Sequence, residues 1–215
     1  MTRVVATLCL SLVFISQVVA QQTGLTEAQL KSAEFEVPQL VELLKLKPGM
    51  TVADVGAGFG AWTMRFSRWI GPAGRVYASD VGAAQLAALG DAVQRERLAN
   101  VTVLEGAPST TNLPPLCCDA ILIRDAYHHL TRPEDIVRSV AASLKPGGTL
   151  IVIDFPPRPD SKVPDGVPAN RRGHGVPPEV VQHEVGALLT HVRTIPNWAP
   201  SSQPASLYLV LFRKT

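Results

Sequence analysis

Short apolar runs alternate with amphipathic stretches along most of this chain. Val52-Ala53-Asp54-Val55, Arg75 to Asp80, Val101 to Leu104, Cys118 to Ile123 and Thr149 to Ile153 are four to six residues long and mostly apolar, as parallel strands covered on both faces are. Between them, apolar residues recur at helical spacing: Trp62, Phe66, Trp69 and Ile70 within 61–70, Leu86, Leu89 and Val93 within 82–98, and Ile136, Val137, Val140 and Leu144 after residue 131. Strands alternating with helices along most of this stretch predict a doubly wound α/β sheet with helices on both faces.

Local signals set the boundaries. Thr26-Glu27-Ala28-Gln29 reads as a capping box opening a helix, which Pro38 is expected to interrupt before a second segment over 39–46. These helices are expected to cover the sheet edge or the ligand mouth. Thr131-Arg132-Pro133-Glu134 reads as another capping box, and Lys145-Pro146-Gly147-Gly148 as the turn that ends that helix. Residues 154–178 hold seven prolines, so they are predicted to form a lid-like loop at the exit of the fifth strand. Arg171, Arg172 and His174 within it either meet an anionic acceptor or are solvated loop charges. A helix over 179–189 and a strand over 192–195 follow.

Composition narrows the picture. A chain of 215 residues, 46% hydrophobic and 18% charged, suits one well-buried domain, taken as 21–215. The net charge of +2 comes without a basic run, which argues against a nucleic-acid partner. Residues 1–20 have an Arg3-bearing start, an apolar stretch over 4–19 and a small-residue end at Val18-Val19-Ala20, the layout of a secretory signal peptide. Cleavage after Ala20 and a periplasmic or secreted product, with no membrane span remaining, are expected; an anchor formed by 4–19 is the alternative. Adjacent Cys117 and Cys118 would close only a strained ring, so they are expected as free thiols, and Cys-Cys is no metal-binding spacing. No metal is expected.

The candidate chemistry sits at strand ends. Gly56-Ala57-Gly58-Phe59-Gly60 follows the first strand, and glycine there permits positive φ and close approach of a ligand to main-chain N–H groups. Asp80, at the end of the second strand, suits the vicinal hydroxyls of a ribose; a plain helix N-cap is its competing role. The end of the fourth strand, Arg124-Asp125-Ala126-Tyr127-His128-His129, faces the same crevice. Tyr127, His128 and His129 are the candidate bases by topology, against a purely structural role for the histidine pair.

Asp54 to Gly60, Asp80, Asp119-Ala120, His128-His129-Leu130 and Leu144-Lys145-Pro146-Gly147-Gly148-Thr149-Leu150 together resemble the class I S-adenosylmethionine-dependent methyltransferases over about 35–155. The resemblance implies a Rossmann-like sheet, mostly parallel with an antiparallel C-terminal strand, for which 206–212 fits. It also implies S-adenosyl-L-methionine as cofactor and a small-molecule acceptor. Carried over by position, Asp54, Gly56, Ala57, Gly58, Gly60, Asp80 and Val81 would contact the cofactor, with Arg124 on the opposite wall. Where many members have Gly-Asp after strand three, Gly106 is followed here by Ala107, so Glu105 or backbone must meet the adenine. Two rivals stand beside this reading. Gly56-x-Gly58-x-x-Ala61 also satisfies the dinucleotide fingerprint of a nicotinamide or flavin oxidoreductase, and an exported binding protein that keeps the fold without catalysis is the other.

Overall fold

The computed structural model describes residues 24–198 and 207–215; the leader-like residues 1–20 lie outside this range. In chain order the elements are α1 (Glu27–Leu44), β1 (Thr51–Val55), α2 (Ala61–Ile70), β2 (Arg75–Asp80), α3 (Ala83–Arg95), β3 (Val101–Glu105), β4 (Cys118–Arg124), α4 (Pro133–Ser143), β5 (Leu144–Asp154), α5 (Pro178–Gly186), β6 (Thr190–Trp198) and β7 (Leu207–Arg213). The strands form one sheet in the order β3-β2-β1-β4-β5-β7-β6. β1 to β5 pair in parallel, while β7 runs antiparallel between β5 and β6. Strand order therefore reverses between β1 and β4, which opens a crevice beyond their carboxyl ends.

Side-chain alternation divides the core between the two sheet faces. Val52, Ala120, Leu122 and Ile151 pack against Leu40 and Val41 of α1 and Trp62 and Phe66 of α2. Ala53, Ile121, Leu150 and Val210 pack on the other face against Val137 and Val140 of α4 and Val181 and Val185 of α5. The predicted α/β architecture, with its antiparallel terminal strand, is the observed one. Among the described residues no helix is long and apolar enough to cross a membrane.

Four local expectations are corrected. α1 runs unbroken through Pro38, which sits on its exposed face. The carbonyl that proline leaves without a donor there can be hydrated, while Val37, Leu40 and Val41 hold the helix to the core. The capping box at Thr26 forms as expected, with reciprocal bonds to Gln29, but the one at Thr131 does not. α4 starts instead from Arg132 with Pro133 in its first turn, where proline needs no N–H partner and Glu134 and Asp135 complement the helix dipole. β5 begins at Leu144 because Leu144 pairs with Cys118 ahead of a bulge, so the Lys-Pro-Gly-Gly stretch lies within the strand's span. Finally, Cys117 and Cys118 are joined as a disulfide rather than free. Leu116, in the left-handed region just before them, turns the chain at the edge of β4, where neighbouring side chains need not project to opposite faces of a continuous ladder.

Candidate functional site

Gly56, Gly58 and Gly60 all adopt positive φ, so the β1–α2 loop needs the residue type the sequence provides. The loop is anchored to β2: the N–H groups of Gly56 and Ala57 donate to the Ser79 carbonyl at 2.8 and 3.1 Å. It is also pressed against the β4 exit, since a Cβ on Gly56 would lie 2.5 Å from that of Ala126. Asp80 ties two loops together. Its Oδ2 accepts from the Gly58 N–H at 2.8 Å and its Oδ1 from the Gly82 N–H at 2.9 Å. Each carboxylate oxygen keeps a second lone pair for a ligand hydroxyl.

These residues wall a cavity of about 540 Å³ at the carboxyl ends of the strands. Gly56, Gly58, Asp80, Val81, Gly106 and His129 line it. Ile123, Leu130, Ile136 and Pro108 make its apolar side. A carboxylate with free lone pairs beside a glycine loop, facing an apolar slot, is a donor set that fits the adenosyl part of the S-adenosylmethionine that the resemblance implies. Glu105 is exposed and absent from the lining, and Ala57, Gly60 and Tyr127 also lie outside it.

Asp54 and Arg124 belong to a buried polar cluster on the α1–α2 side. Asp54 is almost fully buried and accepts a 2.6 Å hydrogen bond from the Thr63 hydroxyl. Burial pushes its carboxyl up to about 6, with the nearby Asp80 charge adding to the rise and Thr63 and Arg124 opposing it. Arg124 stacks over Trp62, 3.9 Å from the ring centroid, and grips both oxygens of Glu36. The Trp62 indole N–H donates to the same Glu36 at 3.2 Å. Sequence reasoning missed Glu36, whose place in a helix of ordinary amphipathic pattern gives no sign that its partner lies 88 residues away.

The three candidate bases separate. Tyr127 is buried, and its hydroxyl donates to Glu184 at 2.9 Å, so burial and that carboxylate push it well above the usual phenol range. Glu184 also accepts from Arg171, a fully buried arginine of the 154–178 segment, at 2.7 and 3.1 Å. Arg171 is thereby held away from any acceptor, and Arg172 is exposed. His128 is buried on Asp154, with Nδ1 2.8 Å from Oδ1. His129 is exposed, lines the cavity and is held below the usual histidine range by desolvation and by neighbouring His128 and His174. His174, from the proline-rich segment, closes the group at 4.9 Å from the His128 ring and 5.6 Å from that of His129.

Comparison with known proteins agrees with this geometry. Residues 52–148 match the family model described as a methyltransferase domain. The ubiquinone/menaquinone biosynthesis C-methyltransferase UbiE of Pseudomonas savastanoi pv. phaseolicola is 32% identical over 121 residues, covering 54% of this chain and 45% of that protein. The Azotobacter vinelandii UbiE is 33% identical over 121 residues, with 54% and 46% covered. The match thus spans less than half the length of these curated relatives. A SAM-dependent methyltransferase from Aquifex aeolicus superposes with a TM-score of 0.65 at 24% identity, covering 83% of this chain and 89% of that one. A phosphoethanolamine N-methyltransferase from Haemonchus contortus, solved with S-adenosyl-L-methionine, superposes at 0.65 with 14% identity and 84% and 52% coverage. These two likenesses show the fold. Residues 52–148, with the glycine loop and Asp80 on that fold, are thus similar to a methyltransferase domain, and these findings support the class I S-adenosylmethionine-dependent methyltransferase superfamily.

Proposed function

We propose that this chain transfers a methyl group from S-adenosylmethionine to a small-molecule acceptor that enters beside His129 and the 154–178 segment. The single observation that carries the reading is the Asp80 carboxylate, which joins Gly58 and Gly82 at the cavity wall and still has lone pairs free for a diol. The cofactor, when bound, supplies a methyl already activated on a sulfonium. The chain's own contribution is to orient and to exclude water, and alignment of this kind supplies several kcal/mol, on the order of 7 in favourable cases. Asp80 and the glycine loop hold the nucleoside end, while Ile123, Leu130 and Ile136 keep the slot dry. On the acceptor side His129 offers an imidazole that is neutral at pH 7, able to take a proton or a cation.

Isothermal calorimetry on the purified chain tests the assignment. S-adenosylhomocysteine binds, NAD does not, and Asp80→Ala abolishes the binding; selective NAD binding would replace the methyltransferase reading with an oxidoreductase one. The acceptor is reached by supplying labelled methyl donor with a metabolite extract and identifying the labelled product. The leader-like residues 1–20 support an exported enzyme of one domain over 21–215. A reporter fused after residue 215 and found in the cytoplasm removes that part of the reading.

A further inference from the structure

Three imidazoles meet at the exit of β4, and the surrounding chain is arranged to hold them there. His128, His129 and His174 each present a ring nitrogen, and the three nitrogens lie within 4.8 Å of one another. His128 is fixed twice by Asp154: its N–H donates to Oδ2 at 3.1 Å and its Nδ1 lies 2.8 Å from Oδ1. Asp154 is fully buried and also accepts from the Phe155 N–H at 2.9 Å, so it is directed at His128 and not into solvent. A carboxylate on Nδ1 fixes the proton there and leaves Nε2 with its lone pair, the arrangement that carboxylates impose on metal-binding histidines.

His174 is brought in by backbone design. It lies between Gly173 and Gly175, at φ +141° and +124°, and a Cβ on Gly175 would stand 2.7 Å from the Pro156 carbonyl oxygen. The His174 N–H donates to Ser161 Oγ at 2.7 Å and its carbonyl accepts from the Arg158 N–H at 2.9 Å. The Val176 N–H donates to the Phe155 carbonyl at 3.0 Å, which presses the segment onto the end of β5. The rings of His129 and His174 have no hydrogen-bond partner among the described residues. The charged groups nearby are Asp125 and Asp154 on one side and Arg158, whose guanidinium covers Phe155 at 4.7 Å, on the other.

We propose that His128, His129 and His174 bind a zinc-type divalent cation, with Asp154 as the orienting partner of His128 and a fourth coordination position open beside the cavity. Imidazole is a ligand for Zn²⁺, Ni²⁺ and Cu²⁺, and three protein ligands with one open position is the pattern of reactive rather than structural zinc sites. Tetrahedral zinc, with bonds of about 2.0–2.1 Å, holds its nitrogens roughly 3.3 Å apart. The three nitrogens lie within 4.8 Å of one another here, so binding would require the exposed His129 ring and the half-buried His174 ring to turn inward. The use of the open position rests on the methyl-transfer reading: an acceptor with an acidic hydroxyl would coordinate there, release its proton to solvent and take the methyl carbon on oxygen, while the sulfonium becomes a neutral thioether. Binding of the cation itself does not depend on that reading.

The test is a cobalt(II) titration of the purified full chain, carrying no polyhistidine tag and freed of metal, followed by visible absorption. One equivalent binds, with the intense bands of a four-coordinate site, and one equivalent of zinc displaces it. His174→Ala lowers the affinity at least 100-fold, Asp154→Asn lowers it 10- to 100-fold, and His191→Ala leaves it unchanged, all three with wild-type circular dichroism. Absence of stoichiometric binding, or binding that His174→Ala does not weaken, overturns the proposal. S-adenosylhomocysteine affinity is measured on the same samples: its presence without cobalt binding sinks the metal site alone, and cobalt binding without it sinks the methyl-transfer reading alone.

Discussion

Glu36 of α1 and Arg124 at the end of β4 form a bidentate ion pair, 2.8 and 2.9 Å, with side chains 0% and 6% exposed. The residue after Arg124 is Asp125, which lines the cavity. The pair therefore fastens the N-terminal helix to the rim of the candidate site, and Trp62 closes over it.

Removing one partner of this pair is expected to cost far more than removing both. Glu36→Ala leaves Arg124 charged and buried without its bidentate partner, with the exposed Asp125 at 3.9 Å and the buried Asp54 as the carboxyls that remain near it, and such a loss typically destabilises by about 3–5 kcal/mol. Replacing both residues by apolar side chains of similar volume, Glu36→Leu with Arg124→Met, recovers most of that. Urea unfolding of the two variants measures it; a Glu36→Ala loss below about 1 kcal/mol would show that the pair does not hold the helix.

Asp54 predicts a pH dependence of opposite sign to the usual carboxylate. Its folded-state value, raised from 3.8 to about 6, means that the folded chain binds this proton more tightly than the unfolded one. The stabilisation is complete below pH 3.8 and is lost as pH rises through 6, a span worth about 3 kcal/mol at most. Asp54→Asn removes that loss. Thermal melts of both proteins from pH 4 to 7 are expected to diverge, with the variant gaining on the wild type as pH rises; parallel curves would contradict the burial.

Glu184 of α5 ties the proline-rich segment to Tyr127 in the turn after β4. It receives Tyr127, Asn170 and both terminal nitrogens of Arg171, so Glu184→Ala strands a buried cation and is expected to cost about 3–5 kcal/mol. Limited proteolysis within 154–178 accelerates accordingly. Tyr127→Phe removes a single hydrogen bond and is expected to cost about 1 kcal/mol. Equal effects of the two variants would show that Arg171 finds another partner.

What the sequence made legible follows from range. Short apolar runs, the glycine loop and Asp80 carry their meaning within a few residues, and the strands, the crevice and the Asp80 wall were readable from them. The tertiary partners were not. Glu36 with Arg124, Asp154 with His128 and Glu184 with Tyr127 are separated by 88, 26 and 57 residues. Glu36, Asp154 and Glu184 each look like an ordinary surface charge or strand terminus until the sheet order brings them to their partners. Pro38 misled for a related reason, since whether a proline breaks a helix depends on which side faces water.

Two of the glycines lining the cavity, Gly56 and Gly58, separate fold from ligand. Gly56 has φ +73° and no room, because its Cβ would meet that of Ala126 at 2.5 Å; Gly58 has φ +54°, and a Cβ there would meet nothing within 4 Å beyond its chain neighbours. Alanine at either position bears the left-handed penalty of about 1–2 kcal/mol. Gly56→Ala must in addition displace Ala126, so it is expected to lower the melting temperature further. Gly58→Ala adds a methyl where only a ligand would stand. It is expected to lose no more than the backbone penalty in stability, yet at least tenfold in S-adenosylhomocysteine affinity by calorimetry. Wild-type affinity in Gly58→Ala would mean that no ligand approaches the loop closely, and the nucleoside would have to be placed elsewhere along the Asp80 wall.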